Sequence, residues 1–234
     1  MDGTKKSGPI VAVMAGFLLL TGAAPVSAAT TFPSSSSENA QTPAQRYEEL
    51  IARVKKGDLN VDFGELRYVY TETPEYHPYE SPADRFVGEM FRAYKAQDFD
   101  GAIASAKKVL AINYLDIDAH IVCDLSYRMA SNAIAAEPYH QVAIRLLGSI
   151  YQSGDGKSPG TAYQVIAVRE EYAVFNTLGL TPGEPRSATE DGHRFDVFQA
   201  TDKSSGETKT IYFNVDRPLQ WLDRHPEAAA QPSP

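Results

Sequence analysis

Apolar residues recur along most of this chain with a helical period, and the period changes once, near residue 153. Thr42-Pro43 offers an N-cap followed by proline at the first helical position. Tyr47, Leu50, Ile51 and Val54 then follow at helical spacing, and Gly57 closes the run. Asp62-Phe63 opens a shorter helix with Phe63, Leu66 and Tyr70 on one face. Thr73-Pro74 and His77-Pro78 force an extended connector, because a proline ring clashes with a helical residue before it. Ser81-Pro82-Ala83-Asp84 repeats the start signal, and Phe86, Val87, Met90, Phe91 and Tyr94 form the stripe of a third helix. Gln97-Asp98 turns the chain into a fourth helix carrying Ala102, Ile103, Ala106, Val109 and Leu110. A fifth begins near Asp118, and Glu137-Pro138 starts a sixth that runs to about Tyr151.

Beyond Ser153-Gly154-Asp155-Gly156 the alternation shortens to two. Tyr163 to Val168 reads as a strand buried on both faces, and Arg169 to Leu178 as a helix closed by Gly179. Phe195 and Val197, then Ile211, Phe213 and Val215, read as two strands of a β-hairpin joined by the polar loop Thr201 to Thr208. The expected fold class is α+β: N-terminal tetratricopeptide-like helical hairpins packed with a small C-terminal antiparallel sheet of order β-α-β-β. The expected divisions are a helical region over 42–152, a small α/β region packed on it over 153–224, and a disordered tail over 225–234.

The first 28 residues are built differently. Lys5 and Lys6 precede an apolar stretch from Ile10 to Ala24, and Val26-Ser27-Ala28 follows, which is the pattern of a secretory signal peptide. The stretch is shorter than the roughly 20 residues a membrane-spanning helix needs. Residues 29–41, with four consecutive serines, read as a disordered linker. The expected location is the bacterial periplasm or the medium, with no stable membrane insertion after cleavage. Cys123 is the only cysteine, so no internal disulfide can form.

Two resemblances sharpen this picture. Tyr94, Asp98, Phe99, Ala102, Ile103, Lys108, Leu110 and Ala119 fall where a tetratricopeptide repeat places its turn, small packing and aliphatic positions. The similarity covers one repeat: Tyr114 stands where proline is usual and Met90 where glycine is usual. The stretches Asp62-Phe63 with Leu66-Arg67, Tyr76 with Pro78-Tyr79, Ser153 to Gly156, Glu170-Glu171-Tyr172 with Leu178-Gly179-Leu180, and Ile211 to Asn214 resemble a family of exported bacterial proteins, domain of unknown function 4919. That resemblance, over about Arg46 to Val215, implies a fold and no activity.

Composition and charge narrow the chemistry. The chain has 234 residues, with 22 Lys plus Arg against 30 Asp plus Glu, a net charge of −8. No large phosphate-neutralising surface is expected, so nucleic acid is excluded as a partner. Gly156-Lys157-Ser158 looks like the end of a phosphate-binding loop, but Tyr151 holds the place of its first glycine, and the helix precedes the turn instead of following it. Ser105 to Lys108 fits S-x-x-K without the companion motifs of a penicillin-interacting enzyme. His120 and Asp124, one turn apart, are a bare metal-ligand spacing, and no complete metal or cofactor motif occurs, so no cofactor is expected. The candidate ligand-binding residues are Gly154, Asp155 and Gly156, whose backbone a ligand could approach, with Glu170 and Glu171 at a strand end and His140 or His193. Glu170 and Glu171 also suit a helix N-terminus as first-turn carboxylates. The expected function is non-catalytic binding of an envelope protein or peptide through the helical hairpins. The alternative is a hydrolase or small-ligand binder at the Gly154–Gly156 loop with Glu170 and Glu171.

Overall fold

The computed structural model describes residues 41–229; the leader, most of the linker and the last five residues lie outside them. Six helices come first: α1 (Pro43–Lys55), α2 (Phe63–Tyr70), α3 (Asp84–Lys95), α4 (Phe99–Ile112), α5 (Ile117–Met129) and α6 (Ala133–Tyr151). A 3-10 turn at Pro159–Thr161 leads to β1 (Tyr163–Gln164) and α7 (Val168–Thr177). Then come β2 (Leu180–Pro182), β3 (Arg186–Glu190), β4 (His193–Asp202), β5 (Thr208–Asn214), α8 (Asp216–Arg224) and α9 (Pro226–Ala229). The class is α+β.

Polar side chains set the helix starts. Thr42 and Gln45 form a reciprocal capping box on α1, and Asp62, Asp98, Asp116 and Asn132 each accept a backbone N–H three residues on. Asn132 moves the start of α6 four residues ahead of the Glu137-Pro138 expected from sequence, leaving Pro138 inside the helix. The proline falls in the second turn, where one lost hydrogen bond leaves the carbonyl of Ile134 unpaired, and Ile134 is almost wholly exposed to water.

The sheet differs from the sequence expectation in two respects. It has five strands, in the order β1-β5-β4-β2, with β3 pairing the other half of β4. It is also mixed: β1 runs parallel to β5 while the other pairs are antiparallel. A parallel neighbour is possible because α7 and three strands intervene before β5. β1 is short because its backbone leaves the ladder after Val165: the Glu170 carboxylate accepts the N–H of Ile166, and the Tyr76 hydroxyl donates to its carbonyl. Apolar residues at 165 and 166 are buried by packing there, so burial on both faces at this point does not signal a strand.

One hydrophobic cluster joins α1, α2, α6 and α7 to the inner face of the sheet, through Leu50, Leu66, Leu146, Ile150, Phe175, Phe198 and Phe213. A second, of small and aliphatic residues including Ala102, Ala106, Val109, Ala119 and Cys123, sits between α3, α4 and α5. Tyr114 packs against both.

Candidate functional site

Position 67 follows Phe63 by four residues, on the buried stripe of α2, and so carries a guanidinium into the core. Arg67 is fully buried and forks onto Glu170, Nε to Oε1 at 2.9 Å and Nη2 to Oε2 at 2.6 Å. It also donates to the Gln164 carbonyl at 2.9 Å and to Ser149 Oγ at 3.3 Å. With Ile166 N–H on Glu170 Oε2 at 2.8 Å, one ion pair ties α2, α6, β1 and α7 together. Glu170 is thus committed to holding the fold at the start of α7.

Glu171 beside it is 1% exposed, and its Oε1 has no hydrogen-bond partner among the described residues. Burial, with Asp196 and then Glu170 adding like charge, pushes its carboxyl up to about 9, so it is a neutral acid at pH 7. Asp155 faces water instead. It accepts from Thr161 Oγ1 at 2.7 Å, from Lys157 N–H at 3.1 Å and from Lys157 Nζ at 2.9 Å; Lys157 first and Thr161 second hold it down at about 2. The glycines either side are needed by packing. A Cβ on Gly154 would lie 2.2 Å from the Thr161 carbonyl oxygen, and one on Gly156, at φ +68°, would lie 2.5 Å from the Tyr163 ring. The loop closes on the chain itself, with the N–H groups of Asp155 and Gly156 both on Thr161 O.

The histidines are dispersed. His140 Nδ1 lies 2.9 Å from Asp124 Oδ2, and Arg128 holds the other oxygen at 2.6 Å. His193 pairs with Asp216 at the far end of the sheet. His120 is buried between the rings of Tyr114 and Tyr139, with Nε2 on the Tyr114 carbonyl, and burial pushes it down to about 4. Burial pushes the Cys123 thiol up to about 12. Of the residues singled out by sequence, Glu170 and Glu171 are neighbours in the core, while Asp155 is engaged by Lys157 and Thr161 and His140 by Asp124. A narrow cleft of about 50 Å³ has Glu170 in its wall; there Arg169 Nη2 lies 3.0 Å from Asp116 and 3.4 Å from Asp118, two carboxylates at the N-terminus of α5. Burial raises Asp118 to about 6. Among the described residues no group of three His, Cys, Asp or Glu is arranged to hold a metal.

An open groove of about 530 Å³ lies on the helical layer, between the end of α1 and α4, α5 and α6. Lys55 Nζ lies 4.8 Å from the centre of the Tyr114 ring. Lys107 Nζ lies 5.4 Å from that of Tyr127, and donates to the Tyr127 hydroxyl at 2.7 Å. Tyr127 stacks on Tyr139 at 5.8 Å, and Pro138 completes the wall. Neither lysine is in an ion pair with a carboxylate among the described residues. The chain also gathers His77, Tyr79 and His225 around Trp221, pinning the connector before α3 to α8. Sequence reasoning did not single out Arg67, the lysine–tyrosine groove or Trp221. A charged residue on an apolar stripe was a readable sign of the first; the others depend on distant segments meeting.

A family model for a domain of unknown function, DUF4919, matches residues 36–224. The chain belongs to this family. No curated protein and no solved structure matches it. The DUF4919 match runs from α1 through α8, so the Arg67–Glu170 pair, the Gly154–Gly156 loop and the groove all lie within it.

Proposed function

We propose that this DUF4919 protein is a non-catalytic binding module that acts outside the cytoplasm and captures a protein or peptide through the groove on its helices. The observation that carries the reading is the groove itself: in a chain of net charge −8, two lysine ammoniums and three tyrosine rings face an opening with no carboxylate in its lining. Tyrosine supplies large, rigid contact area at low entropic cost, and unpaired ammoniums favour a partner bearing carboxylates. The tetratricopeptide-like positions from Tyr94 to Ala119 belong to the same reading, since they build two of the helices behind the groove. Export rests on the leader pattern of residues 1–28, and amino-terminal sequencing of the protein recovered from the cell envelope or medium checks it.

The competing hydrolase or small-ligand reading draws on Glu171, a neutral carboxyl with an oxygen left without a partner. Against it stand the engagement of Glu170 by Arg67, of Asp155 by Lys157 and Thr161, of His140 by Asp124 and of His193 by Asp216. The test is affinity capture from envelope extracts at low salt with the wild type and with Lys55→Glu/Lys107→Glu. The wild type should retain a partner that the double variant loses. Equal recovery by both, or no partner with either, would rule the groove out.

A further inference from the structure

We infer that β3 is a self-pairing edge, through which two copies of this chain join their sheets across a two-fold axis. Among the described residues β3 is hydrogen-bonded on one side only, to β4, and all five of its residues are exposed. The turn from β3 to β4 is Asp191-Gly192, with φ +50° and +81°, a two-residue loop flanked by the pair Glu190↔His193. In such a hairpin the flanking pair exchanges hydrogen bonds, and the direction alternates along the strand. The N–H and C=O of Arg186, Ala188 and Glu190 therefore point to β4, and those of Ser187 and Thr189 point away from the sheet. No other backbone group among the described residues takes them.

Exposed edges are ordinarily blunted by proline, lysine or a bulge. Here Pro182 and Pro185 remove donors just before β3, and the short strand itself carries the charges of Arg186 and Glu190, one of each sign, which a second copy can pair. Its sequence, Arg-Ser-Ala-Thr-Glu, is self-complementary in antiparallel register about Ala188. Ser187 of one copy then meets Thr189 of the other, and both are outward-facing, so four N–H···O=C bonds form about the axis. On the face of Ala188, Arg186 stands opposite Glu190 of the second copy, twice over, where opposite charges stabilise cross-strand pairs. Moving the axis to residue 187 would set Glu184 against Glu190, and moving it to 189 would leave Arg186 facing Gly192; the Ala188 register is the one in which both charges of β3 are matched. A second copy is thus the partner whose chemistry this edge specifies, through an isologous contact independent of the groove.

Five residues a side make a small interface, so the association is expected in the micromolar range or weaker. Sedimentation of the full chain should show its mass rising from one chain toward two between about 1 and several hundred μM. Arg186→Glu, which sets like charges opposite each other, should weaken the dimer at least tenfold with an unchanged circular dichroism spectrum. The swap Arg186→Glu/Glu190→Arg should restore it. A monomer at every concentration, a dimer indifferent to Arg186→Glu, or a swap that fails to restore pairing would overturn the inference.

Discussion

A guanidinium with no access to water is tolerated only when its nitrogens find partners, and each of the three nitrogens of Arg67 donates, to Glu170, Gln164 and Ser149. Removing one partner strands a buried charge, so Arg67→Met or Glu170→Met should each lower stability by about 3–5 kcal/mol in chemical denaturation. Arg67→Met/Glu170→Met should be less destabilised than the sum of the two, because no lone charge remains. Glu171 acts in the opposite sense. Its carboxyl is held neutral up to about 9, whereas in the unfolded chain it ionises near the ordinary glutamate value of about 4.3. The unfolded state therefore gives up a proton that the folded state keeps, and stability falls as pH rises from about 4.3 toward 9. Glu171→Gln should raise stability at pH 8 by about 1–3 kcal/mol, and the two proteins should converge near pH 4, as thermal melts across that range will test. The sequence analysis placed Phe63, Leu66 and Tyr70 on the stripe of α2 and passed over Arg67 between them, whose partner lies 103 residues away.

Between elements, loops decide the geometry. The turn from α6 to β1 folds back so tightly that side-chain atoms at residues 154 and 156 would collide with Thr161 and Tyr163. Gly154→Ala and Gly156→Ala should each cost about 1–3 kcal/mol, while Gly160→Ala, which meets open space in the same loop, should be close to neutral. These glycines were read correctly as punctuation between a helical and an extended period; that packing requires them depends on where Thr161 and Tyr163 come to lie. The helix starts were legible because N-caps are local: a side chain and a backbone N–H three residues apart. The start of α6 was misplaced because proline prefers a first helical turn, and the preference yielded to the cap at Asn132. The Asp191-Gly192 turn is equally local but was not among the turns read from sequence, so the β3–β4 hairpin was missed.

Over the whole molecule, one apolar cluster runs from α1 to β5, so the helical and sheet layers are expected to melt as a unit. Helical circular dichroism and Trp221 fluorescence should report coincident transitions in urea; separate midpoints would show that the layers fold independently. Neighbours within one or two turns made the first five helices and the β4–β5 hairpin legible, and the pattern along the whole chain did the same for the α+β class and the DUF4919 family. Tertiary structure alone decided the parallel pairing of β1 with β5, the Arg67–Glu170 lock and the meeting of Lys55 with Lys107 and three tyrosines. The physical reason is range. Caps, turns and periodicity are fixed by local backbone geometry, whereas a buried ion pair or a groove exists only after long-range packing has removed water and brought distant side chains within a few ångströms.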